Sequence, residues 1–212
     1  MKLLSVISLA IPDIKVIRFA RFRDQRGYFT ETFRKSDLAK DERISSLKGI
    51  DFVQGNESYS RSGTIRGLHF QWNPFMGKLV RTVRGHMVDF VLDIRKGSPT
   101  QGHLIGYEMP DDAESEFNEW IWVPPGFAHG NCFPGPTQIE YLCSGEYSQG
   151  CEACISPFAV DIDWSLCEPA LRTIFKQLSG PGAIITDKDR NGLSLHEWFA
   201  DDRSKNFVYG QC

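Results

Sequence analysis

The chain has 212 residues, 41% of them hydrophobic, 24% charged and 12% aromatic, with a formal net charge of −3. That length fits one domain, or one domain with additions, able to bury roughly 70% of its unfolded surface. The acidic balance gives no electrostatic case for nucleic-acid binding, and no apolar run approaches the roughly 18 residues of a membrane-spanning helix.

Lys2 to Ala10 is apolar enough to suggest a short signal segment, but it lacks a basic flank and a cleavage site. It reads as a first strand, with a cytoplasmic location expected. Residues 14–23 are strand-like, Asp24-Gln-Arg-Gly27 is a turn, and Tyr28 to Phe33 resumes the alternation, which predicts a hairpin. Ser36 is placed to cap a short helix running to about Leu47. Phe52 to Tyr59 reads as a strand with Gln54, Asn56 and Ser58 on one face. Three more strands are expected between 64 and 94, and another over Gly102 to Met109.

Within 63–99, Arg66, His69, Gln71, Lys78, Arg81, Asp89 and Asp93 recur on short alternating runs with glycines at the breaks. Charged groups on strands need a wet or ligand-filled interior, because a buried unpaired charge is costly. This stretch is therefore read as the inner wall of a barrel pocket. Strict alternation puts Arg66 and His69 on opposite faces, so both can line the pocket only if Gly67 bends the strand.

Residues 110–118 read as an acidic loop, and Trp120 to Val123, Gln138 to Cys143 and Ala153 to Pro157 as further strands. Pro124 to Gly130 reads as a turn-rich link carrying His129. Many short strands punctuated by glycine and proline indicate a sandwich, jelly roll or barrel. After Trp164, Leu171, Ile174, Phe175 and Leu178 fall at i, i+3, i+4 and i+7, which predicts an amphipathic helix. The expected organisation is a β domain over 1–166, with a helix and tail over 167–212 packing on it.

His86, His103 and His196 stand among turn and surface signals and read as non-functional. A strand histidine such as His69 is more often structural, but Arg66, Gln71, Lys78 and Asp89 nearby resemble a site for an anionic, hydroxyl-rich ligand. A metal-dependent cupin needs several imidazoles with a carboxylate; here Gln71 stands two places after His69, and only His129 is another plausible ligand. The pocket is therefore expected to be metal-free. Asp187 to Gly192 resembles the start of a calcium-binding loop, but position twelve is Trp198, with Glu197 out of register. The six cysteines are irregularly spaced and read as reduced thiols. Cys151-Glu-Ala-Cys154 lacks the second pair that a zinc site needs.

Taken together, Arg23 to Glu31, Gln54 to Ser58, Ile65 to Gln71, Gly77 to Arg81, Asp93 to Thr100, Val123 to Gly130, Tyr141 and Ile162 to Trp164 resemble the dTDP-4-dehydrorhamnose 3,5-epimerase family. The resemblance spans about residues 12–164 and resumes at 185–189. It implies a mostly β, cupin-like jelly roll with a few short helices, acting as an isomerase in deoxysugar biosynthesis without a cofactor. It also implies roles: His69 as general base, Asp189 orienting it, Tyr141 as acid on the opposite ring face, and Lys78 facing the 4-keto oxygen. Arg26, Glu31, Gln54, Asn56, Arg66, His129, Glu152 and Lys188 would hold the nucleotide sugar, with Tyr147 stacking on the base. A homodimer is implied, with a strand exchanged so that Arg26 and Glu31 serve the partner's pocket.

The residue types suit this chemistry. A 4-keto group acidifies neighbouring C–H bonds, and inversion needs a base on one face and a donor on the other. The chain departs from the family in Asn131-Cys132 after Gly130, in Gly145-Glu146 before Tyr147, in a longer link from Trp164 to Asp189, and in its tail. Epimerisation at C3 alone, and a non-catalytic sugar-nucleotide-binding jelly roll, remain as alternatives.

Overall fold

A computed structural model describes residues 1–211. Thirteen strands form in chain order: β1 (Leu3–Ser8), β2 (Lys15–Ala20), β3 (Phe22–Asp24), β4 (Gly27–Phe29), β5 (Gln54–Ser60), β6 (Thr64–Gln71), β7 (Lys78–Arg84), β8 (His86–Asp93), β9 (Leu104–Pro110), β10 (Phe117–Val123), β11 (Phe127–Phe133), β12 (Thr137–Cys143) and β13 (Glu152–Cys154). Four short helices are α1 (Lys35–Leu38), α2 (Pro169–Leu178), α3 (Asp187–Arg190) and α4 (Leu195–Ala200). None is long and apolar enough to cross a membrane.

Two antiparallel sheets carry the fold, ordered β1-β2-β10-β7-β12-β5 and β13-β6-β11-β8-β9, with β3-β4 standing apart as a hairpin. This is the jelly-roll arrangement. Val16, Val80, Ile121 and Ile139 of the first sheet meet Met87, Val91, Ile105 and Phe127 of the second. The outer faces are covered too. Leu171 and Phe175 of α2, with Trp198 and Phe207, close the back of the second sheet. Leu38, Ile44 and Leu47 close the back of the first, against Trp120 and Trp122.

That double cover corrects one reading. Residues 124–130 are not a link: β11 begins at Phe127, and all seven of its residues are buried. A strand buried on both faces loses the apolar–polar alternation by which strands are read. The single helix expected from Ser36 to Leu47 is instead α1 and a 3-10 turn over Glu42–Leu47, because Asp41 accepts from the Arg43 amide and starts a new cap. The segment resembling a calcium loop is α3, one helical turn capped by Thr186. Cys132, Cys143, Cys151, Cys154 and Cys167 carry free thiols; Cys212 lies outside the described residues.

Candidate active site

The pocket's geometry begins at Gly67. In the β6–β11 pairing His69 faces His129 but Arg66 faces Asn131, a register shift that leaves one extra residue in β6. Gly67 takes φ +97°, and a Cβ there would stand 2.7 Å from both the Gly130 Cα and the His129 carbonyl oxygen. Only glycine fits such an approach. The bulge turns Arg66 and His69 onto the same side, as the sequence requires if both line one pocket.

Between the sheets lies a cavity of two lobes, about 700 Å³ and about 380 Å³. His69, Lys78, His129 and Tyr141 border both lobes. Arg66, Lys188 and Asp189 line the larger one, with Ile184 and Ile185, while Gln54, Asn56, Tyr147 and Glu152 line the smaller. Eleven of the thirteen expected site residues thus meet here. Arg26 and Glu31 do not: Arg26 is exposed on the β3–β4 hairpin and paired with Asp24, and Glu31 binds the Met1 amine and Arg34.

His69 Nε2 lies 2.7 Å from Asp189 Oδ1, and the Gly67 amide donates to Asp189 Oδ2 at 3.1 Å. Burial acts to raise Asp189, but these bonds outweigh it and hold the carboxyl below the usual carboxylate range. With Nε2 engaged, Nδ1 is the ring nitrogen left to exchange a proton with a ligand. Burial pushes the Tyr141 phenol up, against the opposing charge of Arg66, so it keeps its proton at neutral pH. Burial lowers Lys78, against the pull of Cys143, Asp89 and Glu152.

The rim is a connected network. Tyr147 donates its hydroxyl to Glu152 at 3.1 Å, and Lys188 donates to the same carboxylate at 2.7 Å. The Tyr147 amide donates to Gln54 Oε1 at 2.8 Å, and Gln54 Nε2 donates to Asn56 Oδ1. Arg66 donates to Ser60 Oγ and the Tyr59 carbonyl, which lays its guanidinium along the larger lobe.

Gln71, where a metal-dependent cupin would have its second histidine, is fully engaged otherwise. Its amide donates to the carbonyls of Pro74 and Glu146 and accepts from the Ser148 amide, each at 2.9 Å. It fastens the loop that carries Tyr147. Asp89, read from sequence as a pocket charge, is fully buried. His129 Nε2 lies 2.6 Å from its Oδ1, off the line of a hydrogen bond, and Asn131 Nδ2 donates to the same oxygen at 3.0 Å. Asn131 lines the larger lobe and was not among the expected residues, although its departure from the family pattern marked the position.

The family model described as dTDP-4-dehydrorhamnose 3,5-epimerase matches residues 8–197. The chain is 34% identical over 193 residues to dTDP-4-dehydrorhamnose 3,5-epimerase of Shigella flexneri, covering 89% of this chain and 94% of that one. It is 42% identical over 144 residues to the Sinorhizobium fredii enzyme of the same name, covering 66% and 69%. A crystal structure from Legionella pneumophila, a dTDP-6-deoxy-D-glucose-3,5-epimerase in complex with dTDP-4-keto-L-rhamnose, superposes with TM-score 0.77 at 29% identity, covering 98% of this chain and 99% of that one. The chain belongs to the dTDP-4-dehydrorhamnose 3,5-epimerase family.

Proposed function

We propose that the protein is a cofactor-independent isomerase that converts dTDP-4-keto-6-deoxyglucose to dTDP-4-dehydrorhamnose by inverting C3 and C5. One observation carries this reading: an imidazole backed by a carboxylate, a proton-bearing phenol and a lysine border the same cavity. His69 removes the C–H proton beside the 4-keto group, and Asp189 supports the imidazolium that forms. Lys78 stabilises the oxygen of the resulting enolate. Tyr141, kept protonated by its burial, returns a proton to the other face. Arg66 offers a planar fork to the diphosphate, and Tyr147, at the rim, a ring for the base.

Arg26 and Glu31 complete the pocket of a second copy in this reading. The β3–β4 hairpin stands outside both sheets, with Phe22 and Phe29 exposed, and a homodimer that exchanges it covers those rings.

Incubation with dTDP-4-keto-6-deoxyglucose in deuterated water, read by mass and NMR, tests the assignment. Deuterium at both C3 and C5 is expected; incorporation at C3 alone would show a single inversion. No uptake by wild type, with ligand affinity unchanged in His69→Ala, would replace the enzyme by a sugar-nucleotide-binding jelly roll.

A further inference from the structure

The cysteines of the Cys151-x-x-Cys154 spacing have no part in the proposed reaction. In the fold they diverge. Cys151 is partly exposed in the turn before β13, whereas Cys154 is buried and is the direct cross-strand partner of His69. A sulfur is thereby placed behind the base, beside its carboxylate. The ligand atoms of His69, Cys154 and Asp189 all lie within 4.8 Å of one another.

Each donor comes from a separately anchored element. His69 sits in β6, between β11 and β13. Cys154 is held by its pairing with β6 and by the Leu193 amide, which donates to its carbonyl at 2.9 Å. Asp189 sits in α3, whose cap Thr186 accepts from the Asp189 amide, and its Oδ2 is fixed by Gly67. An imidazole nitrogen, a thiol sulfur and a carboxylate oxygen therefore converge from elements already held in place. Hard cations such as Mg²⁺ and Ca²⁺ prefer oxygen ligands alone, whereas a mixed nitrogen, sulfur and oxygen set suits zinc and its congeners.

We propose that His69, Cys154 and Asp189 form an inhibitory site for a borderline-soft divalent cation of the zinc class. The cation reaches it past His69, whose side chain borders both lobes of the cavity. Binding exchanges one proton for metal: the thiol proton leaves to solvent as the sulfur–metal bond forms, and as His69 Nε2 takes the metal beside Asp189 the ring's single proton moves to Nδ1. No electrons are transferred. The metal opposes the reaction, because Nδ1 then carries the ring proton and has no lone pair to accept one from a substrate, and the Asp189 carboxylate is engaged by the metal. The inhibitory half of this inference rests on His69 being the base; the binding half does not.

Cobalt is the probe, since a Co²⁺–thiolate bond gives a charge-transfer band that needs no substrate. The full chain is titrated with Co²⁺ as wild type, Cys154→Ser, Cys154→Ala and Cys151→Ser. Wild type and Cys151→Ser are expected to show the band with equal affinity. Both Cys154 variants are expected to lose it, with affinity falling at least about tenfold. A band that is missing in wild type, persists without Cys154, or disappears with Cys151→Ser overturns the site. Zn²⁺ is then added to the deuterium-uptake assay, and the rate with metal is divided by the rate without it for each protein. That ratio is expected to fall well below one in wild type, to be restored by chelator, and to stay near one in Cys154→Ser. A wild-type ratio near one under saturating metal overturns the inhibitory role. Failure of the functional reading shows separately, as no turnover before any metal is added.

Discussion

Asp189→Asn separates orientation of the base from mere occupancy of the site. The native carboxylate takes His69 on one oxygen, at 2.7 Å, and the Gly67 amide on the other, at 3.1 Å. An asparagine has one acceptor for two donors. If its oxygen keeps Gly67, its NH₂ faces His69 Nε2, which must then carry no proton, and the ring proton moves to Nδ1 on the cavity side. The base is then in the wrong tautomer. Loss of a carboxylate that orients a catalytic imidazole costs about 10⁴ in kcat, or ~5 kcal/mol in the barrier. Stability falls as well, by about 2 kcal/mol at neutral pH, the worth of one hydrogen bond to a charged group. The pH dependence has a fixed sign. Asp189 is held below its unfolded value of about 3.9, so its stabilisation is full above that value and is lost as pH falls through the folded pKa. Single-turnover deuterium uptake measures the first effect, and urea unfolding at pH 7 and pH 3 the second, with the gap between wild type and variant narrowing at low pH. Uptake within tenfold of wild type would refute the orienting role, and a gap independent of pH would refute the charge argument.

Lys78→Met removes a cation that burial disfavours, so kcat is expected to fall about 10²- to 10³-fold while thermal stability holds or rises. A calorimetric scan and the uptake assay read the two together, and parallel loss of both would show a structural role instead. Gly67→Ala drives a Cβ to 2.7 Å from the backbone of β11 at a positive φ; about 1–2 kcal/mol of conformational cost and a further ~1–3 of overpacking are expected, with loss of activity. Gly97→Ala is the control, with φ +78° but nothing within 4 Å of the added methyl, and should incur the conformational cost alone in urea titration.

Local signals carried much of the fold. The spacing of Leu171, Ile174, Phe175 and Leu178 gave α2, whose Leu171 and Phe175 are buried as that period requires. Alternation and turn residues marked most strands, including β1. What stayed hidden was set by contacts distant in sequence. β11 lost its alternation because α2 and the tail help to bury the far face of its sheet. A bend at Gly67 is expected from sequence if Arg66 and His69 share one pocket; that it takes the form of an extra residue in β6 shows only in the register with β11. The candidate residues could be named because the motifs resemble a known family; the geometry adds that His69, Lys78 and Tyr141 border one cavity, with Asp189 against His69. Asn131 was not legible, since its role depends on Asp89 facing it across β8 and β11.

Gln71 has a consequence for what this scaffold can become. His69 and His129 are already paired across adjacent strands, so a third imidazole at position 71 would move the pocket toward a ferrous or cupric donor set. The same exchange would release three backbone groups, those of Pro74, Glu146 and Ser148, and with them the loop that presents Tyr147. Acquiring redox chemistry here thus means loosening the loop whose Tyr147 is proposed to hold the nucleotide, so that loop would have to be rebuilt first.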